Sequence, residues 1–119
     1  MNQVSAKQAS LNRQKSLLKK TLLNECGHIC KCGSTYLLDL SHIIPVGREK
    51  QYEVLKLNLV IDCRNCHNIW EHGTWEEKEK LPDFYSRLKK IRIIDMKYFN
   101  KISISIPEWI LEKFEALWT

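Results

Sequence analysis

Five cysteines in two clusters set the terms on which this chain folds. Cys63 and Cys66 bracket two residues, so a tight turn can bring both thiolates onto one ion. Upstream, Cys26, Cys30 and Cys32 are all available, and a tetrahedral site needs only two of them. Cys32 is favoured because Gly33 follows it and lets the backbone curl toward a metal. Cys30 forms a one-residue-spaced pair with Cys32, while Cys26 is the looser substitute and His28 a more distant one. The expectation is a structural Zn²⁺ on Cys30, Cys32, Cys63 and Cys66, with Cys26 as the substitute for Cys30. Such a four-sulfur site is closed and leaves no position for a reacting water.

The metal compensates for a shortage of core. Hydrophobic residues make up 44% of the 119 residues, yet residues 24–75 are rich in glycine and polar loop, and a segment of that kind buries too little apolar surface to hold itself together. An odd number of cysteines argues against a closed disulfide framework and for metal-bound thiolates in a reducing compartment, the cytoplasm. The N-terminus lacks an apolar run followed by a small-residue cleavage site, and no apolar run is long enough to span a bilayer.

The formal charge of +5 is unevenly placed. Lys7, Arg13, Lys15, Lys19 and Lys20 all precede Thr21, where no acidic residue occurs, and the remaining 14 basic residues balance the 14 acidic ones. A basic arm on a near-neutral body suits a polyanionic partner, since Lys and Arg on one face displace phosphate counterions. Arg13, Lys19 and Lys20 on the arm, Lys31 and Arg64 between the paired cysteines, and Arg48 and Lys50 in a loop are the candidate nucleic-acid contacts. Contacts of this kind position a protein on phosphate and carry no base information.

One domain is expected over residues 1–119. A basic helix covers residues 5–24, with Leu11, Leu18 and Leu22 as its apolar stripe. A core follows over about 25–76 and a helical region over 77–119. Within the core, residues 36–44 read as one or more short strands, 47–62 as a polar loop with a turned portion, and 57–61 as a second, irregular extended segment. Cys63-Arg64-Asn65-Cys66 reads as a turn, with a helix opening at His67. In the C-terminal region, Pro82 and Asp83 suit a first helical turn, Phe84, Leu88 and Ile91 repeat at helical spacing, and residues 102–106 alternate as a short extended segment would. A last helix starts near Pro107, with Ile110, Phe114 and Leu117 on one face. Trp70 and Trp75 are expected to anchor the central helix against these C-terminal ones.

His42 in Ser41-His42-Ile43-Ile44-Pro45, Asn58 in Leu57-Asn58-Leu59-Val60, and His67 directly after Cys66 resemble the HNH endonuclease family, in particular its zinc-stapled subgroup found among phage, restriction and mobile-element nucleases. The resemblance implies an α+β fold: a small ββα-metal (His-Me finger) core with structural zinc, flanked by N- and C-terminal helices. It further implies His42 as the general base that activates water for attack on a phosphodiester, Asn58 as the residue fastening the loop that aims it, and His67 as ligand to a catalytic Mg²⁺, Mn²⁺ or similar ion. Ser41 departs from the family pattern, which has an aspartate or histidine ligand at that position. Either Ser41 acts through water, or Asp39 or His72 supplies the ligand, or the site has lost its ion and the module only binds DNA.

The leading expectation is therefore a metal-dependent DNA endonuclease acting on double-stranded or branched DNA, with a homodimer as one way to cut both strands. The alternatives are a catalytically weak HNH-like DNA-binding module and a zinc-stabilised protein-interaction domain.

Overall fold

Residues 24–34 set the entry to the fold, because two backbone reversals there fix where the first cysteine pair lies. The structure, a computed structural model, describes residues 5–47 and 50–118. Helix α1 (Ala6–Glu25) starts at Ser5, whose side chain accepts the Gln8 amide at 3.1 Å, an N-cap that satisfies one of the orphan N–H groups of the first turn. It stops where Gly27 takes φ +69° and the His28 amide returns to the Leu23 carbonyl at 2.9 Å. A left-handed residue there closes a helix at no Cβ cost when it is glycine. Gly33, at φ +96°, performs the second reversal, with its amide on the Cys30 carbonyl at 2.8 Å.

A two-stranded antiparallel hairpin follows, β1 (Leu38–His42) and β2 (Leu59–Cys63), in the register Leu38 with Cys63, Ser41 with Val60 and His42 with Leu59. Two single 3-10 turns, Lys50–Tyr52 and Lys56–Asn58, occupy the connecting loop. The segment expected to be irregular is a full strand, buried along its whole length, because α1 and α2 both pack against it.

Helix α2 (Arg64–His72) begins one residue after Cys63. The second cysteine pair is therefore the cap and first turn of a helix, and the separate turn expected before a helix at His67 does not form. Cys63 is the N-cap: its sulfur accepts the Cys66 amide at 3.5 Å. A short α3 (Trp75–Glu79) is fixed by a reciprocal capping box between Thr74 and Glu77, and then come α4 (Phe84–Ile94), α5 (Met96–Ser103) and α6 (Glu108–Trp118). The extended segment expected over 102–106 is absent. Asp95 caps α5 by accepting the Tyr98 amide at 3.0 Å, so Ile102 belongs to a helix, Ile104 is 88% exposed in the turn after it, and only Ile106 returns to the core.

The core joins Ile43, Ile44, Trp70, Phe84, Leu88, Ile91, Ile110 and Phe114, all buried. Each such side chain contributes roughly 1.5–3 kcal/mol by leaving water. Trp70 and Trp75 both meet Phe84 edge to face, at 6.3 and 6.4 Å between ring centres, which locks α2 and α3 to α4. The result is a small, mostly helical α+β domain with one hairpin, flanked by N- and C-terminal helices and carrying a four-cysteine cluster.

Candidate metal centre

The hairpin end and the loop after α1 bring four sulfurs together. Cys30, Cys32, Cys63 and Cys66 all lie with their Sγ atoms within 4.8 Å of one another, and Cys32 and Cys63 are 3.6 Å apart. Tetrahedral Zn²⁺ with Zn–S bonds near 2.3 Å requires S···S separations of about 3.8 Å, so the donor set and its spacing fit that ion. Cys30, Cys63 and Cys66 are buried and Cys32 is exposed, and none of the cysteines is in a disulfide. Burial pushes the thiols of Cys30 and Cys66 up, whereas the backbone N–H of Ser34 pulls Cys32 down. Cys26, the substitute considered from sequence, lies outside the cluster, exposed and directed at the Leu23 carbonyl. His28 instead contacts Asn24 at 3.3 Å.

The histidines and their neighbours are arranged differently from the nuclease expectation. His42 Nε2 lies 2.9 Å from the backbone carbonyl of Glu53. That bond requires the Nε2–H tautomer and leaves only Nδ1 as a base. His67 Nε2 meets Glu71 at 2.6 Å, and its buried Nδ1 has no hydrogen-bond partner. Ser41 is fully buried in the hairpin, its hydroxyl also without a partner. Asp39 is paired with Arg64 Nε at 3.3 Å, and His72 is 77% exposed at its side chain. A cleft of about 480 Å³ is walled by His42, Trp70, Glu71, His72, Trp75 and Lys78, and His67 does not line it.

The leading expectation is therefore corrected. Among the described residues, the only group of three or more Cys, His, Asp or Glu donors close enough to hold a metal is the all-cysteine one. It contains neither His42 nor His67, and no second group joins His67 with Asp39 or His72 to hold a Mg²⁺ or Mn²⁺ ion. A closed thiolate site stabilises structure and presents no position for a metal-bound water. A His-based phosphodiester hydrolase is not what this arrangement builds.

Comparison with known proteins adds no family. No protein-family model, no curated protein and no solved structure matches this chain.

Asn58 is a fastener. Its Oδ1 accepts the Ile44 amide at 2.7 Å, and its Nδ2 donates to the carbonyls of Ile44 and Tyr52 at 3.0 and 3.3 Å. These bonds tie the start and the middle of the interstrand loop to the buried residue at the foot of β2. Glu53 in the same loop reaches Lys15 of α1 at 3.3 Å.

Of the candidate phosphate contacts, Arg13 and Lys20 are exposed on α1, and Lys19 is half-buried there. Lys31 is paired with Asp83 at 3.5 Å. Lys50 opens the first 3-10 turn, and Arg48 lies outside the described residues. Among the described residues, no helix is long and apolar enough to cross a membrane.

Two features escaped the sequence reading. Arg87 is buried against Asp62 and Asp83, and the signal for it was Asp62, a lone carboxylate inside the apolar run before Cys63. Lys78 lies 4.5 Å from the Trp75 ring centre and 5.4 Å from that of Trp70, and burial lowers its pKa.

Proposed function

We propose that this chain is a zinc-stabilised DNA-binding module on an HNH-like ββα-metal scaffold, with the four-cysteine centre in a structural role. The observation that carries the reading is α1. It runs 20 residues, about 30 Å of helix, and its five basic residues have no acidic neighbour before Glu25. None of its residues is buried. Of its cations, only Lys15 is engaged in an ion pair among the described residues, so Lys7, Arg13, Lys19 and Lys20 form a cationic rod beside the hairpin. Stability does not require charge of one sign along such a helix; mixed i,i+4 pairs would serve better. Phosphate binding does use it.

The test is fluorescence anisotropy with duplex and four-way-junction DNA across a salt series. Binding should weaken steeply with salt, and replacing Arg13 and Lys20 together by Gln should lower the slope of log K against log salt by roughly 1.8, at about 0.9 per phosphate contact. Absence of salt-sensitive binding would sink the reading. In that case the exposed Ile104, Trp109 and Leu117 favour a zinc-stabilised protein-interaction domain, and self-association in sedimentation velocity would be its first sign.

A further inference from the structure

At the outer end of the hairpin, beside the metal centre, lies a small surface cavity of about 330 Å³ lined by Tyr36, Leu37, Arg64, Asn65 and Asn68, with Cys63 in its wall. Tyr36 is 74% exposed, and its ring and hydroxyl have no partner among the described residues. Leu37 takes φ +51°, a left-handed conformation that costs a non-glycine residue of order 1 kcal/mol, and this turn leads directly into β1. Asn65 and Asn68 stand three apart on α2, hence on one face, and neither side-chain amide has a hydrogen-bond partner among the described residues. Arg64 is held to Asp39 through Nε alone, which leaves both terminal nitrogens available. The metal centre fixes this group, since Cys63 caps the helix that carries Arg64, Asn65 and Asn68.

A free aromatic face, two amides that each present a donor and an acceptor, and a guanidinium are the complement of a nucleobase with its phosphate. We propose that this cavity takes one unpaired nucleobase of a single-stranded or frayed nucleic acid, stacked on Tyr36 and hydrogen-bonded at its edge by Asn65 and Asn68, with Arg64 on the adjoining phosphate. The inference rests on the DNA-binding reading above and adds the state of the strand that is recognised. A base within a duplex has both faces covered by its neighbours, so only an unstacked one offers a face to the tyrosine.

The experiment uses the zinc-loaded full chain, a fluorescein-labelled single strand of about twelve nucleotides and the same sequence as duplex. Tyr36→Ala should weaken single-strand binding about tenfold with no change in its salt slope, and should leave duplex binding unchanged. Tyr36→Phe should bind the single strand like the wild type, and Asn65→Ala with Asn68→Ala should weaken it. Tyr36 is exposed, so the variants should fold; unchanged zinc content and circular dichroism verify this. If the duplex is bound with a normal salt slope while Tyr36→Ala has no effect on single strands, this inference is overturned and the DNA-binding reading stands. If the wild type binds neither, both fall.

Discussion

The guanidinium of Arg87 on α4 closes on both carboxylate oxygens of Asp62, the residue immediately before Cys63. Its Nε donates to Asp83 at 3.0 Å, and Asp83 in turn pairs with Lys31 at 3.5 Å. Lys31 lies between Cys30 and Cys32, so the chain of contacts leaves one cysteine pair, crosses a buried arginine and returns at the other. The metal loop and the C-terminal helices are thereby one mechanical unit. Burial alone would lower the Arg87 pKa, and the hydrogen bonds and charges of Asp62 and Asp83 outweigh it, so the net shift is upward.

Arg87→Ala should cost about 3–5 kcal/mol, because it strands the buried carboxylate of Asp62 and leaves Asp83 with Lys31 alone rather than merely deleting a contact. Arg87→Lys should recover only part of that, since an ammonium cannot fork onto Asp62 while reaching Asp83. Urea unfolding monitored by tryptophan fluorescence provides the measurement. A loss below about 1 kcal/mol, typical of an exposed pair, would mean that the network is not what joins α4 to β2.

Asn58→Ala should destabilise by about 2–4 kcal/mol, because the buried amide and carbonyl of Ile44 lose their partner and each unpaired backbone group costs roughly 1–3 kcal/mol. Asn58→Asp keeps an acceptor for the Ile44 amide but donates nothing to the Ile44 and Tyr52 carbonyls, so it should fall between. Hydrogen exchange is the local readout: the Ile44 amide should lose its protection in Asn58→Ala and keep it in Asn58→Asp. Equal protection in wild type and Asn58→Ala would refute the assigned role.

The parts of this molecule that were legible in its sequence are those governed by short-range rules. Spacing of Phe84, Leu88 and Ile91 gave α4 because a helical face repeats locally, and the two cysteine pairs converge because a metal knuckle is a local motif used twice. Residues 102–106 misled because isoleucine alternation imitates a strand, whereas the Asp95 cap, seven residues earlier, commits the chain to α5. The histidines misled for a different reason. Their order along the chain resembles a catalytic set, but chemistry depends on where the ring nitrogens point: the Glu53 carbonyl, which neighbours His42 only in the fold, engages one, and the Glu71 carboxylate, one turn on along α2, engages that of His67. The Arg87 network left only Asp62 as a sign that a buried partner was needed; which cation answers it was illegible, because a buried ion pair couples residues 25 apart and leaves no periodic trace.

The capping box at α3 should make stability fall in acid. The Thr74 backbone N–H, followed by its hydroxyl, lowers the Glu77 pKa below the ordinary glutamate value. A depressed acid stabilises the fold above its unfolded pKa, near 4.3, and that contribution disappears as pH drops through the lower folded value. Glu77→Gln should therefore lose less stability than the wild type between about pH 5 and pH 3. Thr74→Ala should cost about 1 kcal/mol at neutral pH. Parallel pH–stability curves for wild type and Glu77→Gln would contradict the assignment.

Metal removal should loosen the loop of Cys30 and Cys32, which apart from the ion is held by its own turn hydrogen bonds and by the Lys31–Asp83 pair. Cys30→Ser, Cys63→Ser and Cys66→Ser should each lose stoichiometric zinc, and Cys26→Ser should retain it, because Cys26 stands outside the cluster. The pH dependence follows from burial. In the metal-free protein the thiols of Cys30 and Cys66 are pushed up and stay protonated through neutral pH, so the ion must displace their protons to bind. Apparent zinc affinity should then fall as pH falls, by about tenfold per pH unit for each proton displaced. Competition against a chromophoric chelator between about pH 6 and pH 8 measures the slope. An affinity that stays flat across that interval would show that the ion is not held by these thiolates.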